Sequence, residues 1–106
     1  MAAVITQTDY LAASSDVDIH TATQDEIVNI RLSNSSGSQG TITGLSVSST
    51  TQTQETGGNL LADTDKVTID DGETIIIKGV FLNATKKYVV LHASVNLEAR
   101  VDGVNF

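Results

Sequence analysis

A serine hydrolase needs a histidine beside a serine and an acid. The chain has two histidines, His20 and His92, with serines and acids in excess. The two lie far apart, each at a polar position of an alternating stretch, and no Gly-x-Ser-x-Gly elbow presents a nucleophile. Both read as surface histidines. Three acid pairs, Asp16/Asp18, Asp63/Asp65 and Asp70/Asp71, could offer oxygen ligands to a hard cation. None has the Asp-x-Asp-x-Asp-Gly spacing of a calcium loop, and aspartates commonly bond their own backbone in tight turns. Asn34-Ser35-Ser36 and Asn83-Ala84-Thr85 match the glycosylation acceptor pattern but sit where turns are expected. The glycines at 37, 40, 44, 57 and 58 are too scattered to cradle phosphate, and no helix follows them. The chain is therefore expected to be no enzyme and to hold neither cofactor nor metal.

Composition narrows the remaining classes. Net charge is −7, from 13 acids against 6 bases, so a phosphate backbone would be repelled and no nucleic acid is expected. With no cysteine, neither disulfides nor thiolate metal sites can hold the fold, which must rest on packing or on neighbouring subunits. No stretch approaches the roughly 18 apolar residues of a membrane span. Met1 to Gln7 carries no base and no signal-like apolar run, which predicts a soluble protein made in the cytoplasm. At 106 residues, one domain is expected.

The elements follow from alternation. Serine and threonine total 24 residues, proline is absent and β-branched residues are frequent, a composition suited to pleated strands. Residues 1–15 show only weak apolar patches at Val4–Ile5 and Tyr10–Leu11, and read as an extended N-terminal arm hinged at 12–15. Val17 and Ile19 alternate with Asp16, Asp18 and His20, a half-buried strand. Val28, Ile30 and Leu32 give the stretch 26–34 one apolar face. After a turn at 35–40, Ile42 and then Leu45 and Val47 change parity, which predicts a β-bulge at Gly44. The twelve residues 48–59 lack any apolar side chain and read as a polar loop or projecting tip, before Leu60 to Ala62 re-enters the core. Val67 and Ile69 form a short strand, and the turn at 70–73 leads to a run over 74–82 expected to be buried on both faces or to lie at a sheet junction, with Phe81 in the core. From Val89 to Val101 every odd position is apolar, too long for one strand, so a turn is expected near 94–96. Val28, Ile30, Leu32, Val89, Leu91 and Leu97 are the predicted core. About eight short antiparallel strands over 16–106 make an all-β single β-sandwich, jelly-roll-like.

Residues 70–84, with their Asp-Asp-Gly-Glu-Thr turn before an apolar strand, resemble small β-sandwich structural proteins of tailed-bacteriophage virions. So do Tyr88 to Ser94, the closing stretch Glu98 to Val104, and the strand–turn–strand opening over 26–42. The resemblance spans 16–106 as a pattern of turns and strands; the loop 48–59 departs from it. It implies a non-enzymatic virion structural protein, a capsid decoration (cement) protein on the capsid exterior that binds the major capsid protein or other virion proteins. The alternative is a small tail or fibre component, or a carbohydrate- or receptor-binding module, although the aromatics are only Tyr10, Phe81, Tyr88 and Phe106. Apolar residues near both termini, among them Val104, suit burial against copies of the chain, with a homotrimer preferred. The expected partner-binding residues are Val4, Ile5, Tyr10, Leu11 and Phe106.

Overall fold

The computed structural model describes residues 7–10, 15–55, 58, 60 and 67–105. Among them lie eight strands: β1 (Gln7–Tyr10), β2 (Val17–Thr21), β3 (Glu26–Ser33), β4 (Gly40–Ser48), β5 (Val67–Ile69), β6 (Thr74–Leu82), β7 (Tyr88–Ala93) and β8 (Leu97–Asn105). They form two four-stranded antiparallel sheets, ordered β1-β8-β3-β6 and β2-β7-β4-β5. The pairs β1–β8, β2–β7, β3–β6 and β4–β5 are those of a single long hairpin folded at β4–β5. Two further pairings, β3–β8 and β4–β7, wrap that hairpin around itself and close the two sheets. This is the β-sandwich with jelly-roll topology expected from the strand pattern. Residues 16–106, however, supply seven of its strands. The eighth, β1, comes from 7–10, within the segment read as an extended arm, because hydrogen bonding along β8 makes these residues an edge strand.

Alternation decides what lies between the sheets. In β3, Val28, Ile30 and Leu32 are buried while Ile27, Asn29 and Arg31 are exposed. In β8, Leu97, Ala99 and Val101 enter the same core, and β7 adds Val89, Leu91 and Ala93 from the other sheet. The turn at 94–96 separates β7 from β8 as expected. Gly103 continues the inward parity of β8, and a Cβ there would lie 2.2 Å from the Ile27 carbonyl oxygen, so only glycine fits against the β3 backbone.

Three register shifts set the parity of the remaining strands. The shift between Ile42 and Gly44 of β4 is the predicted bulge; it turns both Ile42 and Leu45 inward. A second shift, between Asp18 and His20 of β2, keeps Ile19 buried. The third corrects the reading of 74–82. Between Val28 and Ile30, β3 supplies one residue and β6 two, Lys78 and Gly79. Gly79 adopts φ 72°, which L side chains rarely take, and its N–H donates to Asn29 Oδ1 at 3.0 Å. Ile75 and Ile77 before the bulge and Val80 and Leu82 after it all face inward, leaving Ile76 and Phe81 outside. The run is therefore an edge strand with a parity switch, not a strand buried on both faces, and Phe81 is not core but 51% exposed.

The turns lock to one another. Buried Asn34 donates from Nδ2 to the carbonyls of Ser38 and Ile69, and its Oδ1 accepts from the N–H and hydroxyl of Ser36. Gly72, at φ 84°, donates its N–H to the Asn34 carbonyl, and Gly37 N–H donates to Asp71 Oδ1. The turns at 35–40 and 70–73 thus form one hydrogen-bonded end of the sandwich. Leu91 is fully buried at the centre of β7. Leu91→Ala is expected to lower stability by about 2–5 kcal/mol in denaturant unfolding; a loss under about 0.5 kcal/mol, typical of surface positions, would show that its inward assignment is wrong.

Candidate interaction surface

The two sheets present different outer faces. That of the β2-β7-β4-β5 sheet is covered by the polar loop, which lies back on the strands rather than projecting. Asp18, Val90 and Ser46 stand at one register level across β2, β7 and β4. Over them the Ser46 hydroxyl donates to Gln54 Oε1 at 2.6 Å, and Gln54 Nε2 donates to the Val90 carbonyl and to Asp16 Oδ1. Asp18 accepts from the Thr51 hydroxyl and from the N–H of Gln52, holding Gln52 at φ 52°. Glu55 accepts from Ser49 N–H and Oγ and pairs with Lys86. Val90, outside the inter-sheet core, is nonetheless fully buried beneath this loop.

That network contains every residue type of a hydrolytic triad in the wrong order. His92 Nδ1 lies 3.1 Å from Asp16 Oδ1, but Asp16 leads on to Gln54 and only then to Ser46. The serine hydroxyl donates to the glutamine and has no exposure, so this serine does not meet the imidazole. His20 departs from its expected surface position. The β2 bulge turns it between the sheets, where Nε2 lies 2.7 Å from Oε1 of buried Glu26, joining β2 to β3 across the sandwich. Asp70 and Asp71 accept from Gln39 and Gly37, and Asn83 Oδ1 accepts from the N–H groups of Thr85 and Lys86; these are turn and loop contacts. Asp63 and Asp65 lie outside the described residues. Among the described residues no group of three potential metal ligands converges.

The outer face of the β1-β8-β3-β6 sheet has no such cover over β8, β3 and β6 among the described residues. Val104, Ile27 and Phe81 share one register level across β8, β3 and β6, at 42%, 43% and 51% exposure. Four residues further along β3, Arg31 stands directly between Arg100 of β8 and Ile76 of β6, the latter 49% exposed. Isolated exposed apolar side chains are ordinary, but three in register form a contiguous strip. Ile27 and Val104 break the apolar parity of their own strands in the sequence. That parity break is the signal the sequence offers for these two residues. Phe81 could not be found this way, because the bulge that turns it outward is invisible in an all-apolar run.

Of the residues expected to bind a partner, Val4, Ile5, Leu11 and Phe106 lie outside the described residues. Tyr10 is the last residue of β1, paired with Leu97 at the start of β8. Val104 is near the other end of that strand, about 23 Å away at the usual rise per residue. Tyr10 and the apolar strip therefore occupy opposite ends of the sheet.

No family model and no curated protein sequence matches the chain. Two solved structures of the Tobacco streak virus coat protein are similar to it. One, in a C2 crystal form, is 11% identical with a TM-score of 0.46, covering 99% of this chain and 86% of that one. The other, of the coat protein dimer, is 10% identical with a TM-score of 0.46, covering 98% and 85%. Similarity at this level assigns no function to the chain.

The buried polar bridge beneath the loop is testable. Gln54→Ala leaves the Ser46 hydroxyl without its acceptor and is expected to cost about 1–3 kcal/mol in denaturant unfolding. Amide exchange should accelerate in 49–55 well before it does in β3; equal acceleration in both would mean that the loop is not held by this bridge.

Proposed function

We propose that the chain is a non-enzymatic structural protein of a virus particle, and within that class a decoration (cement) protein bound to the capsid exterior. The observation that carries this reading is the exposed Val104–Ile27–Phe81 strip on a sheet face with no cover among the described residues over β8, β3 and β6. A contiguous apolar strip on a small domain suits a protein partner. The turn-and-strand resemblance of 16–106 to tailed-phage virion proteins supports the same reading, and jelly rolls are a common capsid architecture, although fold alone does not fix function. The partner is the major capsid protein or another virion protein. Many copies on a lattice act at high effective concentration, so each contact can be small.

In this proposal the part of 1–15 outside β1 acts as an arm reaching a neighbouring subunit, with Val4, Ile5, Tyr10, Leu11 and Phe106 contributing, and copies associate as trimers at three-fold positions. Because Gln7–Tyr10 is hydrogen-bonded along β8, a truncation beginning at Asp16 removes an edge strand together with the arm. Point substitution therefore separates docking from folding better than truncation does. A second reading, a glycan-binding module on a tail or fibre, draws on the exposed ring of Phe81, an aromatic face of the kind sugars stack on.

Phe81→Asp should leave stability within about 0.5 kcal/mol, as at other surface positions, while retention on expanded phage heads in a pelleting assay falls about tenfold or more. Undiminished retention of both Phe81→Asp and Ile27→Asp would remove this face from the interaction. Binding of a glycan array, lost in Phe81→Asp with no binding to heads, would favour the second reading. For the trimer, sedimentation at micromolar concentration should give a mass near three times 11.1 kDa; a single-chain mass at every concentration would eliminate the free trimer.

A further inference from the structure

Arg31 and Arg100 face each other directly across β3 and β8 on the outer face of their sheet. Side chains so paired have Cβ atoms about 4.5–5.5 Å apart, and like charges there are unfavourable. Arg100 is ion-paired with Asp102, its Nε lying 3.1 Å from Oδ1 and 2.9 Å from Oδ2, which leaves the rest of its guanidinium to face Arg31. Arg31 has no acidic partner among the described residues. Its other cross-strand neighbour is exposed Ile76, so the register level reads Arg100, Arg31, Ile76. The outward residues of β3, β6 and β8 include three bases (Arg31, Lys78, Arg100) and two acids (Glu98, Asp102), a local charge of +1. With the whole chain at −7, the remainder carries −7 − 1 = −8. Over these three strands the outer face carries a small positive charge beside its apolar strip, in a chain that is otherwise acidic.

From this juxtaposition we infer that the Arg31–Arg100 pair is a carboxylate-binding site, and that it selects an acidic protein surface as the partner docking on this face. The inference rests on the proposed reading of the same face as a docking surface, and names its chemistry. An Asp or Glu carboxylate entering between the two guanidinium groups accepts from both and relieves their repulsion, while its neighbouring apolar atoms lie on Ile76 and on the Val104–Ile27–Phe81 strip. A two-fold pairing of this face with itself would oppose four arginines, so the partner surface is a different one. A phosphate backbone could offer anions to the same pair, but the apolar strip beside it suits the mixed apolar and polar surface of a protein.

The test uses the intact, isotope-labelled chain and capped pentapeptides, without virus heads. Ser-Glu-Leu-Glu-Ser at millimolar concentration should shift the backbone resonances of Arg31, Arg100 and Ile76, and Ser-Gln-Leu-Gln-Ser should not. Arg31→Gln should weaken the acidic peptide about tenfold, the loss expected for one charge-assisted hydrogen bond. Arg31→Glu should abolish binding while the melting temperature holds or rises, because it replaces a like-charge pair with an opposite one; a purely structural arginine would give a lower melting temperature. Equal shifts from both peptides, no shift at Arg31 and Arg100, or a lowered melting temperature in Arg31→Glu would each overturn the site. Tighter binding of an oligothymidylate, lost in Arg31→Gln, would overturn the choice of a protein partner. Loss of head binding with the peptide result intact would instead refute the decoration role and leave the carboxylate site standing.

Discussion

A β-strand can offer only every second side chain to a core, and the inner faces of all eight strands must meet in one layer between two sheets. That parity constraint governs this protein more than any single contact. β3, β7 and β8 satisfy it by plain alternation, so Val28, Ile30, Leu32, Val89, Leu91, Ala93, Leu97, Ala99 and Val101 lie together without correction. Strands β2, β4 and β6 satisfy it only through bulges, each of which resets the face to which later residues point. The β6 bulge is the most consequential. By inserting Gly79 at a left-handed φ it brings Val80 and Leu82 inward, and the same step carries Phe81 out to solvent.

The wrapped hairpin also explains why the two outer faces differ. The β4–β5 connection joins neighbouring strands of one sheet, so its long polar segment has that sheet's outer face within reach. Loop residues 49–55 have no apolar side chain to bury and are held by hydrogen bonds to Asp16, Asp18, Ser46 and the Val90 carbonyl. Each such bond contributes on the order of 1 kcal/mol net, enough in number to offset part of the entropy of ordering the segment. The opposite sheet has no long connection between its own strands. Among the described residues, its β8, β3 and β6 face is left with the apolar strip and the paired arginines.

This asymmetry organises the functional reading. The covered face takes up His92, Ser46, Asp16 and Asp18 and arranges them as a structural bridge from sheet to loop. The other face combines features that solvent alone does not favour: three apolar side chains in register and two like charges in opposition. A partner presenting carboxylates beside apolar atoms would resolve both at once. On a lattice, the same modest contact repeated many times would suffice.

Seven of the strands, the bulge at Gly44, the turns and most of the core are legible in the residues alone, because alternation and turn chemistry are local. β1 is not, since 7–10 has no clear alternation and is a strand only through β8. Val28, Ile30 and Leu32 against Asn29 and Arg31 leave no other choice of face. Three things depend on contacts between distant parts of the chain. The pairing order is set by which strands close the wrapped hairpin, and residues far apart in the chain decide that. The outward turn of Phe81 and Ile76 depends on two β6 residues opposing one of β3, a relation between strands that an unbroken apolar run conceals. The fate of the polar loop and of His20 depends on what lies opposite them once the sheets have closed. A hydrogen bond from Gln54 to Asp16, or from His20 to Glu26, exists only where distant strands bring donor and acceptor within about 3 Å.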